Sequence, residues 1–101
     1  MRRIHYHDEA RAEFLHEVQY YADINVSLAE RYDLAVNAAE QKAAEHPDRW
    51  AQYQHGTRRV LDRRFKFSLI YLHTEQEIFV VAIAPFARKP GYWKERVAPQ
   101  S

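Results

Sequence analysis

The residues best suited to chemistry in this sequence form a basic run, RRVLDRRFK at 58–66, which carries a net charge of +4. Alternate side chains of an extended strand point to opposite faces, so Arg59, Leu61 and Arg63 should share one face. Like charges placed this close repel one another unless an anion offsets them, which favours binding of phosphate or of an acidic protein surface. The alternative interpretation is that the arginine stems cover apolar surface while their charged heads stay in water.

A second basic stretch, ARKPGYWKER at 87–96, follows an apolar run and places Tyr92 beside Trp93. Large aromatic rings supply much contact energy when they are buried, so we expect another group to cover these two rings. Arg88 and Trp93 should lie beyond the sheet. Replacing both with alanine is therefore predicted to leave folding intact and to weaken the binding of a partner.

The histidines are weaker candidates for chemistry. His5 and His7 would share one face of a strand, with Asp8 close by, but a closed metal site needs further ligands from elsewhere, and no metal site is predicted. His55 precedes the basic run and could act as a general acid, although a solvated loop histidine is the simpler interpretation. The chain has only two glycines and therefore lacks a glycine-rich phosphate loop, so no cofactor is predicted.

Hydrophobic periodicity predicts two amphipathic helices in the first half of the chain. Asp8 can cap the first helix, and SLAE at 27–30 has the capping-box spacing that begins the second, which Pro47 closes. The DINV segment at 23–26 is short enough to allow only a tight reversal, which predicts an antiparallel helix hairpin. The apolar positions are Ala10, Phe14, Leu15, Val18, Tyr21 and Ala22 in the first helix and Leu28, Tyr32, Ala35, Val36, Ala39 and Ala43 in the second.

Strand patterns surround this hairpin. A short strand is predicted at Arg3 to Tyr6, and three more at TRRVLD, KFSLIYLH and EIFVVAIA, which are rich in β-branched and aromatic residues and joined by short links. The uninterrupted apolar run from Ile78 to Ala84 indicates a central strand, and the charged TRRVLD indicates an edge strand. We therefore predict an α+β fold in the order β-α-α-β-β-β. The helix hairpin should pack on one face of a small, mostly antiparallel sheet, and a short helix is possible from Pro90 to Arg96.

Composition limits the classes of function. A chain of 101 residues is long enough for one domain, 1–101, with a modest core. The absence of cysteine is compatible with a reducing compartment, and no apolar run reaches the length of a membrane helix, so a soluble, cytoplasmic protein without a membrane partner is expected. Residues 1–57 hold six Lys or Arg against ten Asp or Glu, whereas residues 58–101 hold nine against four. The near-neutral total therefore hides a basic C-terminal half.

The sequence RRVLDRRFKFSLIYLH at 58–73, followed by IFVVAIAPFARKPGYWKER at 78–96, resembles the RelE/ParE superfamily of bacterial type II toxins. The features in common are a basic strand, an aromatic strand, an apolar last strand and an R-x-P-x-Y-W tail. The predicted element order also matches the order that this superfamily adopts. The resemblance implies a growth-inhibiting toxin that a cognate antitoxin keeps inactive by wrapping around it. It implies no sequence-specific DNA binding by the toxin chain itself.

The superfamily has two activities, and the resemblance implies different roles for the same residues. RelE-like members are ribosome-dependent endoribonucleases that cleave mRNA by attack of a ribose 2′-hydroxyl on the adjacent phosphate. In such an enzyme Arg59 and Arg63 would match the basic residues of the second strand. Arg88 and Tyr92 would match the arginine and tyrosine near the C-terminus.

ParE-like members inhibit DNA gyrase by binding, and two departures favour this activity. Leu61 and Ser68 stand where RelE-like nucleases carry a basic residue and an arginine beside the phosphate. Half of the cationic set is then missing, and no residue stands out as a base. The residues expected to contact the target or the antitoxin are Arg58, Arg59, Arg63, Arg64, Arg88, Lys89, Tyr92 and Trp93.

A different class of function also fits the basic, aromatic surface. The chain could be a plain interaction module that binds one protein without harming the cell. A neighbouring reading frame for a small acidic protein with a DNA-binding N-terminal half would favour the toxin, and an isolated gene would favour the module.

Overall fold

The computed structural model describes residues 2–97 of the predicted domain. Its elements are β1 (Arg3–Tyr6), α1 (Asp8–Ile24), α2 (Val26–Glu45), a 3-10 turn (Gln54–Gly56), β2 (Arg58–Asp62), β3 (Phe67–His73), β4 (Glu77–Pro85) and a second 3-10 turn (Lys94–Arg96). The predicted α+β class and the order β-α-α-β-β-β are confirmed. The short C-terminal helix is present only as the 3-10 turn, which is preceded by irregular turns over 90–93. Within the described part of the chain, neither helix has the length and apolar character needed to cross a bilayer.

The four strands form one sheet in the order β1-β4-β3-β2. β1 runs parallel to β4, and the other two pairs are antiparallel. The central position of β4 and the edge position of β2 agree with the prediction. The register between β3 and β4 pairs Ile70 with Ala82 and Tyr71 with Val80, so Val81 is left as a bulge.

The helix starts differ from the predicted caps. The first helix is capped by His7, whose Nδ1 accepts a hydrogen bond from the Glu9 amide, and Asp8 is already helical. The second is capped by Asn25, whose side-chain oxygen accepts a bond from the amide of Ser27. The predicted caps at Asp8 and Ser27 are therefore wrong. Asn25 alone takes extended backbone angles and reverses the chain, which makes the helix hairpin tighter than the sequence suggested.

Both faces of the sheet are covered, and each cover forms its own core. The helix hairpin buries side chains such as Tyr32 and Val36 against one face. On the other face, the C-terminal segment lays Trp93 over Ile70, Val81, Ala82 and Ala84. Trp93 is only 1% exposed.

The prediction that Trp93 lies beyond the sheet is therefore wrong, and its removal is now expected to destabilise the fold. The uninterrupted apolar run of β4 requires a cover on both faces, and the two helices reach only one. After Pro85 the chain turns back across the open face and supplies the second cover itself. The sheet, rather than a partner, is what buries the Trp93 ring.

Candidate binding site

A cavity of about 260 Å³ opens on the sheet face opposite the helices, between β2, β3, the end of β4 and the C-terminal segment. We call it the cationic pocket because its charged lining residues are Arg59, Arg63, Arg88 and Lys89. No aspartate, glutamate or histidine of the described chain belongs to its lining. The pocket therefore offers several positive charges to a ligand and no lining carboxylate to balance them.

Strand alternation brings the basic run into this pocket. Arg59, Leu61 and Arg63 line it, whereas Val60, between them, is buried in the core on the helix side. The predicted distribution of these side chains between two faces is confirmed. In the register of β2 with β3, Leu61 lies opposite Ser68, so these two residues form the middle of the pocket wall.

Aromatic rings hold two of the arginines at the pocket. The guanidinium carbon of Arg59 lies 4.0 Å from the centre of the Tyr53 ring, and that of Arg88 lies 3.8 Å from the centre of the Tyr92 ring. Tyr53 in turn packs against Trp93, with ring centres 5.9 Å apart. Stacking on a ring restricts a guanidinium while leaving its edge free to donate hydrogen bonds. The pocket is thus partly preorganised for an anion.

The Tyr92 hydroxyl is engaged by a carboxylate from α1. It donates a hydrogen bond of 2.6 Å to Glu13 Oε2. Burial, followed by this bond and the charge of Glu13, raises the pKa of Tyr92 far above its usual value. At neutral pH the hydroxyl is therefore protonated, and its proton points to Glu13, so Tyr92 is not placed to exchange a proton with a ligand in the pocket.

Glu13 has further partners that tie α1 to the C-terminal segment. Arg96 donates to both of its carboxylate oxygens at 3.1 Å, and the Ile83 amide donates to Oε1 at 3.2 Å. Burial alone would lower the pKa of Arg96, but the hydrogen bonds and charge of Glu13 outweigh it and raise that pKa. Arg88 Nη1 lies 3.9 Å from Glu13 Oε2. Neither Glu13 nor Arg96 was identified from the sequence, where they are separated by most of the chain.

The eight residues predicted to contact a partner divide into two groups. Six line the cationic pocket, and Trp93 among them supplies buried floor rather than exposed surface. Arg58 lies on the other side of β2, where its guanidinium donates to the Trp50 carbonyl at 2.7 Å. Arg64 is exposed in the turn after β2 and is not part of the lining. Tyr53 and Phe86, which the sequence did not indicate, complete the site.

A second cavity of about 450 Å³ adjoins the first. We call it the aromatic groove, because Tyr21, Tyr32, Phe65, Phe67 and Phe86 line it. Pro85 and Phe86 belong to the lining of both cavities, and Phe86 is 43% exposed. The two cavities meet at Pro85 and Phe86, although the cationic pocket opens on the sheet face opposite the helices and the aromatic groove lies on the helix side.

Among residues 2–97, no group of three or more His, Cys, Asp or Glu side chains is placed to hold a metal ion. No family model matches the chain. A search of curated proteins likewise finds no match.

Proposed function

We propose that this chain is the toxin of a type II toxin–antitoxin module and that it inhibits DNA gyrase by binding, in the manner of ParE-like proteins. The observation that carries the proposal is the cationic pocket, which gathers four basic side chains and has no aspartate, glutamate or histidine among the described residues that line it. Such a pocket suits recognition of an acidic surface. It coincides with the segment of the sequence that resembles the superfamily.

RNA cleavage is less well supported by the same geometry. Attack of a 2′-hydroxyl on phosphate needs one group to take a proton, another to give one, and cations over the developing charge. The pocket supplies the cations. The Tyr92 hydroxyl already donates its hydrogen bond to Glu13. The pocket wall between the arginines consists of Leu61 and the neutral Ser68.

The antitoxin that we propose is an acidic segment with apolar side chains that orders on binding. Its carboxylates would pair with Arg59, Arg63 and Arg88, and its apolar side chains would pack near the exposed Phe86. Coupled folding and binding of this kind allows a partner to cover a wide surface. The adjacency of the cationic pocket and the aromatic groove supports such a partner.

The test is to induce the chain alone in a bacterium and to measure DNA and protein synthesis separately by pulse labelling. DNA synthesis should stop first. The double variant Arg59→Ala/Arg88→Ala should lose this effect, whereas Arg64→Ala, which removes a charge outside the pocket, should retain it.

Two other outcomes would contradict the proposal. If protein synthesis stops first and mRNA is cut at codons, the chain is a RelE-like ribonuclease, and the departures at Leu61 and Ser68 do not disable it. If folded protein accumulates without affecting either process, the chain is an interaction module without toxicity.

A further inference from the structure

We propose that Glu13 is a positioning residue of the cationic pocket. Through the hydroxyl of Tyr92 it fixes the ring on which Arg88 stacks, and it thereby holds the Arg88 guanidinium where an anion can reach it. This inference rests on the proposed function in that it takes the cationic pocket to be the binding site. It assigns a specific role to a carboxylate that lies outside the pocket lining, on the far side of Tyr92.

The first support is the way in which Glu13 is itself held. Its side chain is 16% exposed. It accepts hydrogen bonds from Arg96, from Tyr92 and from the amide of Ile83. A carboxylate with this many donors has little freedom, so any group bonded to it is also fixed in place.

The second support is the bulge in β4. β1 ends at Tyr6, so the last residues of β4 have no strand on that side. There the Val81 carbonyl accepts a bond of 3.1 Å from Arg96, and the Ile83 amide donates to Glu13. The Glu13–Arg96 pair thus replaces the missing strand and anchors the pocket wall to the centre of the sheet. Bulges of this kind are common beside functional sites because they redirect nearby groups.

The third support is the position of Arg88. Its guanidinium is stacked on Tyr92 at 3.8 Å, while its Nη1 is 3.9 Å from Glu13, beyond a normal hydrogen bond. Arg88 is 56% exposed. Its contact with Glu13 is therefore loose enough to leave donors for a ligand, and the ring beneath it supplies the main restraint.

The experiment measures binding of inorganic pyrophosphate to the purified chain by calorimetry. Arg88→Ala should weaken binding by about tenfold, the usual effect of removing one charged hydrogen-bonding partner. Glu13→Gln should weaken it by about fivefold, since Arg88 remains but is less well held. The double variant should bind no more weakly than Arg88→Ala alone, because Glu13 acts through Arg88.

Glu9→Gln is the matched control, because Glu9 lies on the same helix and pairs with Arg96 but forms no hydrogen bond or ion pair with Tyr92 or Arg88. It should leave the affinity within about twofold of the wild type. If Glu13→Gln does not fold, Tyr92→Phe takes its place. This variant removes the hydroxyl bond to Glu13 and keeps the ring, and it should show the same lack of additivity with Arg88→Ala.

The outcomes separate this inference from the proposed function. If the losses of binding free energy in Glu13→Gln and Arg88→Ala add fully in the double variant, or if Glu13→Gln binds pyrophosphate more tightly than the wild type, Glu13 is not a positioning residue. The proposed function would be unaffected by either result. Failure of the wild type to bind pyrophosphate would overturn this inference, whereas the proposed function would still be decided by the pulse-labelling test. Non-additive losses, with Glu9→Gln unaffected, would support the role of Glu13 whatever the cellular target is.

Discussion

The replacement Trp93→Ala tests most sharply how the C-terminal segment is attached to the sheet. The Trp93 ring is 1% exposed and packs against Ile70, Val81, Ala82 and Ala84. Truncating it would leave a cavity between the sheet and the segment that carries Arg88 and Tyr92. We expect the loss of stability to be large and the pocket to be disturbed as a consequence.

The magnitude follows from the buried area. An aromatic side chain buries about 150–250 Å², which at about 25 cal/mol per Å² corresponds to roughly 4–6 kcal/mol. Truncation of buried tryptophan or phenylalanine to alanine typically costs about 3–5 kcal/mol. We therefore expect a loss of about 4 kcal/mol from a total that for a small domain is about 5–15 kcal/mol.

Urea unfolding followed by far-UV circular dichroism measures this loss. With a slope of about 1–2 kcal/mol per molar, the midpoint should fall by about 2–4 M. Phe86→Ala is the control, because Phe86 belongs to the same pocket but is 43% exposed, and it should cost about 1 kcal/mol or less. A loss of less than about 1 kcal/mol for Trp93→Ala would refute the reasoning, since a ring that supports a core cannot be removed so easily.

Two further predictions concern buried tyrosines. Burial raises the pKa of Tyr71 to about 12, and it also raises the pKa values of Tyr6, Tyr32 and Tyr92. The unfolded chain then releases these protons first, so the contribution of these tyrosines to stability should be constant below about pH 10 and be lost above it, by up to about 1.4 kcal/mol per pH unit for each tyrosine. A melting temperature that stays constant from pH 9 to 11.5 would contradict this. Tyr32→Phe should leave stability unchanged or raise it by up to about 1 kcal/mol, because the Tyr32 hydroxyl is buried without a hydrogen-bond partner among the described residues. A loss of more than about 1 kcal/mol in the same urea assay would show that the hydroxyl does have a partner.

The fold could be predicted because its signals are local. The periodicity of the helices, the alternation around Val60 and the continuous apolar run of β4 each depend on neighbouring residues. The cap of the second helix was missed because Ser27, two residues after Asn25, begins a capping-box pattern, and because the single-residue reversal has no distinct sequence signal. The place of Trp93 could have been inferred, since a strand that is apolar on both faces needs two covers and the helices provide one.

The candidate site could be predicted only in part. The arginines that line the pocket were found because strand alternation places Arg59 and Arg63 together and the tail places Arg88 near them. Glu13 and Arg96 were missed because their ion pair joins α1 to the last turn of the described chain. Local sequence patterns do not predict a contact between residues so far apart in the sequence. Arg58 was included although strand alternation places it on the other side of β2, and Arg64 was included because the sequence does not show how the turn after β2 directs its side chains.

The most direct test of the account is a supercoiling assay with purified DNA gyrase and relaxed plasmid. Adding the wild-type chain should inhibit supercoiling in proportion to its concentration. The double variant Arg59→Ala/Arg88→Ala should not inhibit supercoiling, whereas Arg64→Ala should inhibit it like the wild type. Undiminished supercoiling in the presence of a large excess of folded wild-type chain would contradict the proposal that the cationic pocket serves to inhibit gyrase.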